Sequence, residues 1–232
     1  MGVHDGHRER MRERFFQHGL QTFNEIEALE FLLFYAIPQK DTNPLAHALL
    51  DHFGTLDDVL NATEQQLCEV PGIGLRTAAL LMLVPQMHRL SEVKKSQRIG
   101  EIKSTQDAIN YLRPYFDGRK DEMLMFVCLD STCKIISAEI ISVGVVNRVR
   151  FDRRQLVEIA LKRKATLVVL AHNHPDGDPT PSREDDAATS RLLHSLLDFN
   201  IELFDHVILS GEKSYSYRMK GTLSVFRRQP YI

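Results

Sequence analysis

The sequence predicts an α/β protein in two parts: a small all-helical domain over residues 1–90 and a mixed-sheet domain over 104–232, joined by a linker at 91–103. Three observations carry this. Up to Leu90 the apolar residues recur at helical spacing, and the connections are short turns marked by Gly19, Pro38, Gly54 and Pro71-Gly72-Ile73-Gly74. From Asp121 onward, strand-like and helical segments alternate in the order expected of one sheet flanked by helices. Between them, Arg89 to Lys103 is polar, mixed in charge and poor in large apolar residues, as domain boundaries are.

Composition narrows the functional classes. The chain has 232 residues, 43% of them hydrophobic, enough for a packed core. Lys+Arg number 29 and Asp+Glu 31, so the whole protein has no electrostatic pull on nucleic acid or membrane, and any such contact must be local. Cys68, Cys128 and Cys133 are odd in number and lack CxxC spacing, and they read as buried thiols in a reducing compartment. No signal-peptide core and no run of membrane-spanning length is visible, so a cytoplasmic protein without a membrane partner is expected.

In the first part, Glu25 to Tyr35 is too apolar for an exposed helix and reads as the centre of a bundle. Helices are also expected over Pro44 to His52, after Thr55, and after Thr63 with Gln66 at the capping-box position. Glu69 to Leu80 then reads as a helix end, a two-glycine turn and a new helix whose free N–H groups could meet a phosphate. This segment resembles a helix-hairpin-helix motif, a sequence-independent binder of the DNA backbone. The resemblance implies DNA contact through Gly72, Gly74 and Arg76, with the basic linker adding to it. Thr77 stands where the motif usually has lysine, so Arg76 would supply the charge. The two glycines read equally well as a turn that lets two helices pack closely.

In the second part, Ser104 or Thr105 caps a helix running to Tyr115. Asp121 to Leu129 and Lys134 to Gly144 read as two strands of a hairpin around the turn Asp130 to Cys133, and Arg153 to Lys164 as an amphipathic helix. Thr166 to Ala171 is an apolar strand, Ser182 to Leu197 a helix, Ile201 to Leu209 a strand, and Ser214 to Met219 a short last strand.

The chemistry gathers directly after the apolar strand, in His172-Asn173-His174. If the strand continues, alternation delivers both histidines to the same side, which suits a shared metal ion. Asp185, in the first turn of the next helix, is well placed as a third ligand, with Asp176, Asp178, Glu184 and Asp186 as rivals by proximity. Ser182 and Asp185 also have the spacing of a helix cap, with no metal required. His206 reads first as a core histidine hydrogen-bonded to a neighbour, and second as a support beside the metal. Arg148, Arg150, Arg153 and Arg154 read as a solvated basic face or as a greeting for an acidic partner.

The spacing His172-x-His174, seven residues, Ser182, two residues, Asp185 reproduces HxHx(7)SxxD, the JAMM signature of the MPN+ zinc metalloproteases. The wider text from His172 to Asp185, with Phe204-Asp205-His206-Val207-Ile208, is similar to the bacterial RadC family, the UPF0758 proteins. A helix-hairpin-helix-like N-terminal domain is that family's usual companion. The resemblance implies an MPN/JAB-like, cytidine-deaminase-like α-β-α fold. It implies zinc held by His172, His174 and Asp185, with Ser182 helping to bind the developing oxyanion. Glu122 would be the general base, with Glu139 in the partner strand as competitor. The implied activity is zinc-dependent hydrolysis of an amide or peptide bond in a protein or peptide substrate. The alternatives are a DNA-binding module of repair or recombination whose metal site is structural, and a metal-dependent nuclease. Two positions depart from the family text: Asp176, where serine is common, and Met219, where glutamate is usual.

Overall fold

The computed structural model describes residues 3–144, 152–175 and 177–228. It divides into two units, Met1–Leu90 and Ser91–Ile232. The first holds α1 (Val3–His18), α2 (Glu25–Ala36), α3 (Asn43–Phe53), α4 (Leu56–Leu60) and α5 (Glu64–Cys68), and α6 (Leu75–Ser96) begins in it. The second holds α7 (Thr105–Phe116), β1 (Met123–Leu129), β2 (Ile135–Val143), α8 (Arg153–Lys162) and β3 (Leu167–Asn173). It is completed by α9 (Arg183–Leu197), β4 (Glu202–Ser210), β5 (Lys213–Ser216) and α10 (Thr222–Arg228).

In the helical unit, α2 is central because its apolar residues cover more than one face. Leu29 and Leu33 join the core with Ala46, Leu49, Leu67 and Leu81, while Phe31 and Phe34 pack with Met11 of α1. Asn24 and Glu27 close a capping box at its start. The buried Glu30 carboxylate is satisfied by Asn43 Nδ2 at 2.8 Å and His7 Nε2 at 2.9 Å. Its neighbour in the chain pattern, Arg8, donates to the carbonyls of Ile37, Pro38 and Lys40 beyond the end of α2.

The expected linker is largely structured. Residues 91–96 continue α6, supported by the Glu92–Lys95 pair at 2.6 Å. A polar surface helix with no breaker has the composition of a linker, which is why the two are confused. Further on, Ile102 donates its N–H to Cys133 O at 2.8 Å and is fully buried, so the end of this stretch belongs to the sheet unit's core.

The sheet has the order β2-β1-β3-β4-β5, with β3 and β4 parallel and every other pair antiparallel. One face carries Leu124, Phe126, Val168, Leu170 and Ile208 against α8, α9 and Leu223 of α10. The other carries Met123, Met125, Val127, Val169 and Val207 against α7. Every residue of β1 is buried, because the strand is covered on both faces, so its apolar run is continuous rather than alternating. The last strand ends at Ser216 rather than Met219, because Tyr217 to Gly221 turns into α10, a short helix with few apolar residues for a pattern to reveal. The cysteines do not all sit in the core: Cys128 is buried, Cys133 is half-buried and Cys68 is exposed. Asp176, Arg148 and Arg150 lie outside the described residues.

Candidate metal centre

Strand β3 ends in His172 and Asn173, and the chain then runs through Pro175, Pro179 and Pro181 to α9. His172 pairs with Leu124 of β1 and with Ile208 of β4, so it sits on the sheet face that packs against α9. It is 1% exposed. Two residues on, His174 returns to the same side, and the two Nε2 atoms stand 3.1 Å apart.

Helix α9 brings the third group. Ser182 is its N-cap: the Ser182 hydroxyl accepts from Asp185 N at 3.1 Å, and Asp185 Oδ2 accepts from Ser182 N at 2.8 Å and Ser182 Oγ at 2.7 Å. The cap therefore fixes the Asp185 carboxylate instead of competing with a role for it. Its oxygens lie 3.3 Å from His172 Nε2 and 3.6 Å from His174 Nε2. One ligand atom from each of the three residues falls within 4.8 Å of the others.

Among the described residues, the rival acids are engaged elsewhere or exposed. Asp178 Oδ1 accepts from Thr180 N and Thr180 Oγ1 at 3.0 and 2.7 Å, folding the loop into a tight turn. Asp186 Oδ1 accepts from the Tyr217 hydroxyl at 2.8 Å, and Glu184 is exposed.

The electrostatics favour ligand-ready forms. Burial pushes the His172 imidazole down to about 4, so it is neutral at pH 7. Burial pushes the Asp185 carboxyl up, but the His174 hydrogen bond, the nearby His172 and the two bonds from Ser182 outweigh it, and the group stays well below the usual carboxylate range. His174 Nδ1 lies 2.8 Å from Asp178 O. A carbonyl only accepts, so His174 Nδ1 carries a proton, and Nε2 is the nitrogen that faces the cluster. Two imidazole nitrogens and one carboxylate form the donor set of a three-ligand metal site with an open position, and they can hold a metal ion.

Glu122 stands one residue before β1. Extending the antiparallel register, in which Leu124 meets His172, sets Glu122 opposite His174, and alternation puts it on the face shared with Leu124. Its backbone is pinned on both sides by Asn173, which accepts from Met123 N at 2.7 Å and donates to Asp121 O at 3.1 Å. Glu139 is differently engaged. It pairs in register with Phe126 and binds Arg163 at the end of α8 at 2.8 Å.

Residues outside the signature complete the cluster. His206 is buried against His172, with its Nε2 2.9 Å from His172 Nδ1, so a neighbour of the site fills the role expected of a plain core histidine. Thr189 Oγ1 lies 2.6 Å from His206 Nδ1, and Tyr217 stacks on the His206 ring with centroids 4.8 Å apart. His206 lies within the family-like text Phe204 to Ile208, whereas Thr189 and Tyr217 sit in mixed polar stretches that carry no signal of their own.

At the helical unit's two-glycine turn, Gly72 has φ +98° and a Cβ there would stand 3.3 Å from Leu45 Cδ1, whereas a Cβ on Gly74 would meet nothing within 4 Å. Close helix packing thus accounts for Gly72 and not for Gly74. Arg76 is exposed, and Thr77 is buried, in keeping with its not being a surface lysine.

Comparison with known proteins agrees with both units. Residues 102–222 match the RadC-like JAB domain, and residues 44–84 match the SAM-like helix-hairpin-helix tandem. A UPF0758 protein of Fusobacterium nucleatum is 32% identical over 94% of this chain and 97% of its own length. One from Ruegeria pomeroyi is 35% identical over 94% of the chain and 97% of its own length, and one from Rhodobacter capsulatus is 35% identical over 92% and 100%. With more than half of its residues in the matching JAB domain and relatives aligned along nearly their whole length, the chain belongs to the RadC-like JAB family of UPF0758 proteins.

Proposed function

We propose that this protein is a zinc-dependent hydrolase of JAMM type that cleaves an amide or peptide bond in a cytoplasmic protein or peptide. The observation that carries the reading is the convergence of His172, His174 and Asp185 on one point beside a capped helix, with Glu122 two residues before Leu124, whose partner in the sheet is His172. A zinc ion held by the three ligands would supply Lewis acidity toward the scissile carbonyl and acidify the attacking water. Glu122 takes the proton from that water and returns it to the leaving amine. Ser182, exposed at the mouth of the site, turns its hydroxyl from Asp185 Oδ2 to the developing oxyanion. His172 needs no deprotonation before binding the ion, because burial already keeps it neutral.

Metal analysis of the purified protein tests the reading. About one zinc per chain is expected in wild type and in Glu122→Gln, and little in His172→Ala/His174→Ala. Hydrolysis of a peptide library should vanish in both variants. Equal zinc in wild type and the double-alanine variant ends the proposal.

A second reading, DNA association of the helical unit as in repair or recombination, is favoured by the open space at Gly74 beside exposed Arg76. It predicts salt-sensitive binding of branched or single-stranded DNA that Arg76→Ala weakens without unfolding the protein. A metal-dependent nuclease would join both halves, and DNA cleavage lost in Glu122→Gln would replace the peptidase reading.

A further inference from the structure

Helix α9 supplies two polar side chains toward the cluster, Asp185 and, one turn on, Thr189. Thr189 is fully buried and its hydroxyl oxygen lies 2.6 Å from Asp185 O and 2.6 Å from His206 Nδ1, with the Tyr217 hydroxyl as a further neighbour. A hydroxyl carries one hydrogen. A carbonyl oxygen cannot donate, so two oxygens 2.6 Å apart require that hydrogen between them. The Thr189 proton therefore points at Asp185 O, and the hydroxyl is left to accept from His206.

The count continues along the chain of bonds. His206 Nδ1 must carry a hydrogen to donate to Thr189. His206 is 1% exposed and, among the described residues, no ion pair joins its ring to a carboxylate, so a doubly protonated, cationic ring would be buried without a paired counter-charge. Its Nε2 is then a lone pair, and His172 Nδ1, 2.9 Å away, must be the donor. The Tyr217 ring, stacked on His206 at an interplanar angle of 4°, holds the imidazole in the plane this requires.

We propose that Thr189 and His206 are positioning residues: they lock His172 in the tautomer with its proton on Nδ1, so that Nε2 is presented bare to the ion. This rests on the metal-site reading above. His174 is held separately, by the bond from its Nδ1 to the Asp178 carbonyl of the loop, so the two ligand histidines are oriented by different partners. Without the lock, the Nε2–H form of His172 would place a hydrogen between His172 and His174, 3.1 Å apart, and block the site.

The test has two parts. In metal-free wild-type protein, long-range nitrogen–proton correlation spectra should show His172 and His206 as neutral Nδ1–H tautomers. An Nε2–H tautomer at His172 overturns the proposal whatever the protein binds. Zinc affinity by chelator competition should then fall about 10- to 100-fold in Thr189→Val and recover to within roughly threefold of wild type in Thr189→Ser. Unchanged affinity in a folded Thr189→Val refutes the lock. If wild type shows the tautomers but binds no zinc, the metal reading fails while the hydrogen-bond assignment stands. Should Thr189→Val not fold, the wild-type spectra alone decide.

Discussion

Burying His172 as a neutral ring has a cost that appears on acidification, and it can be measured. In the unfolded chain an imidazole takes up a proton near pH 6.5, whereas in the fold His172 does so only near 4. Between these values the unfolded state binds more protons than the native state. Stability of the metal-free protein is therefore intact above about pH 7 and is lost as pH falls toward 4. Integrating the linkage gives a loss of about 2 kcal/mol between pH 7 and 5 from this one group, and about 3 kcal/mol by pH 4. His206, also shifted well down by burial and then by the neighbouring His172, acts in the same direction. The assay is denaturant unfolding of chelator-treated protein at several pH values, followed by tyrosine fluorescence. The chain has no tryptophan and 6 tyrosines, most of them in the sheet unit, so the signal reports the right half. His172→Gln should have a pH profile flatter by the amount above. Profiles that superimpose would show that His172 is not held neutral by burial.

Two further outcomes follow from particular contacts. Asn173→Ala removes the bonds to Met123 N and Asp121 O and should cost roughly 2 kcal/mol in denaturant unfolding. It should also lower peptide hydrolysis while zinc content stays at the wild-type level, because Glu122 loses its anchorage and the ligands do not. Gly72→Ala should destabilise the helical unit by about 1–2 kcal/mol, since its φ is +98°, whereas Gly74→Ala should change stability by less than about 0.5 kcal/mol and still weaken DNA binding.

What the sequence made legible follows the range of the forces involved. The helix caps at Asn24, Thr55, Thr63, Ser104 and Ser182 involve residues three apart, and the expectations at Thr55, Thr63 and Ser104 matched the observed hydrogen bonds. The apolar runs of β1 and β3 marked buried strands. Selection of Asp185 over its neighbours came from resemblance to a family text, and the fold supplies the physical reason: Asp178 and Asp186 are spent on Thr180 and Tyr217. The face of Glu122 was not legible, because alternation fixes faces only once a register is known. His206 was underestimated for the same reason. Its partner, His172, lies 34 residues away, and only the parallel pairing of β3 with β4 brings them together.

Among the described strands, that pairing is the single parallel one. Neighbouring antiparallel strands can be joined by a hairpin, but a parallel pair obliges the chain to travel back across the face of the sheet before it starts the second strand. Here the return path is α9, and the loop that launches it leaves from the histidine end of β3. The connection that topology demands is thus also the one that delivers Ser182, Asp185 and Thr189 to the two histidines. A chain cut or re-routed between Leu167 and Ser210 would lose its crossover and the His-His-Asp cluster in one stroke, so this site cannot be trimmed to a short peptide bearing the signature alone.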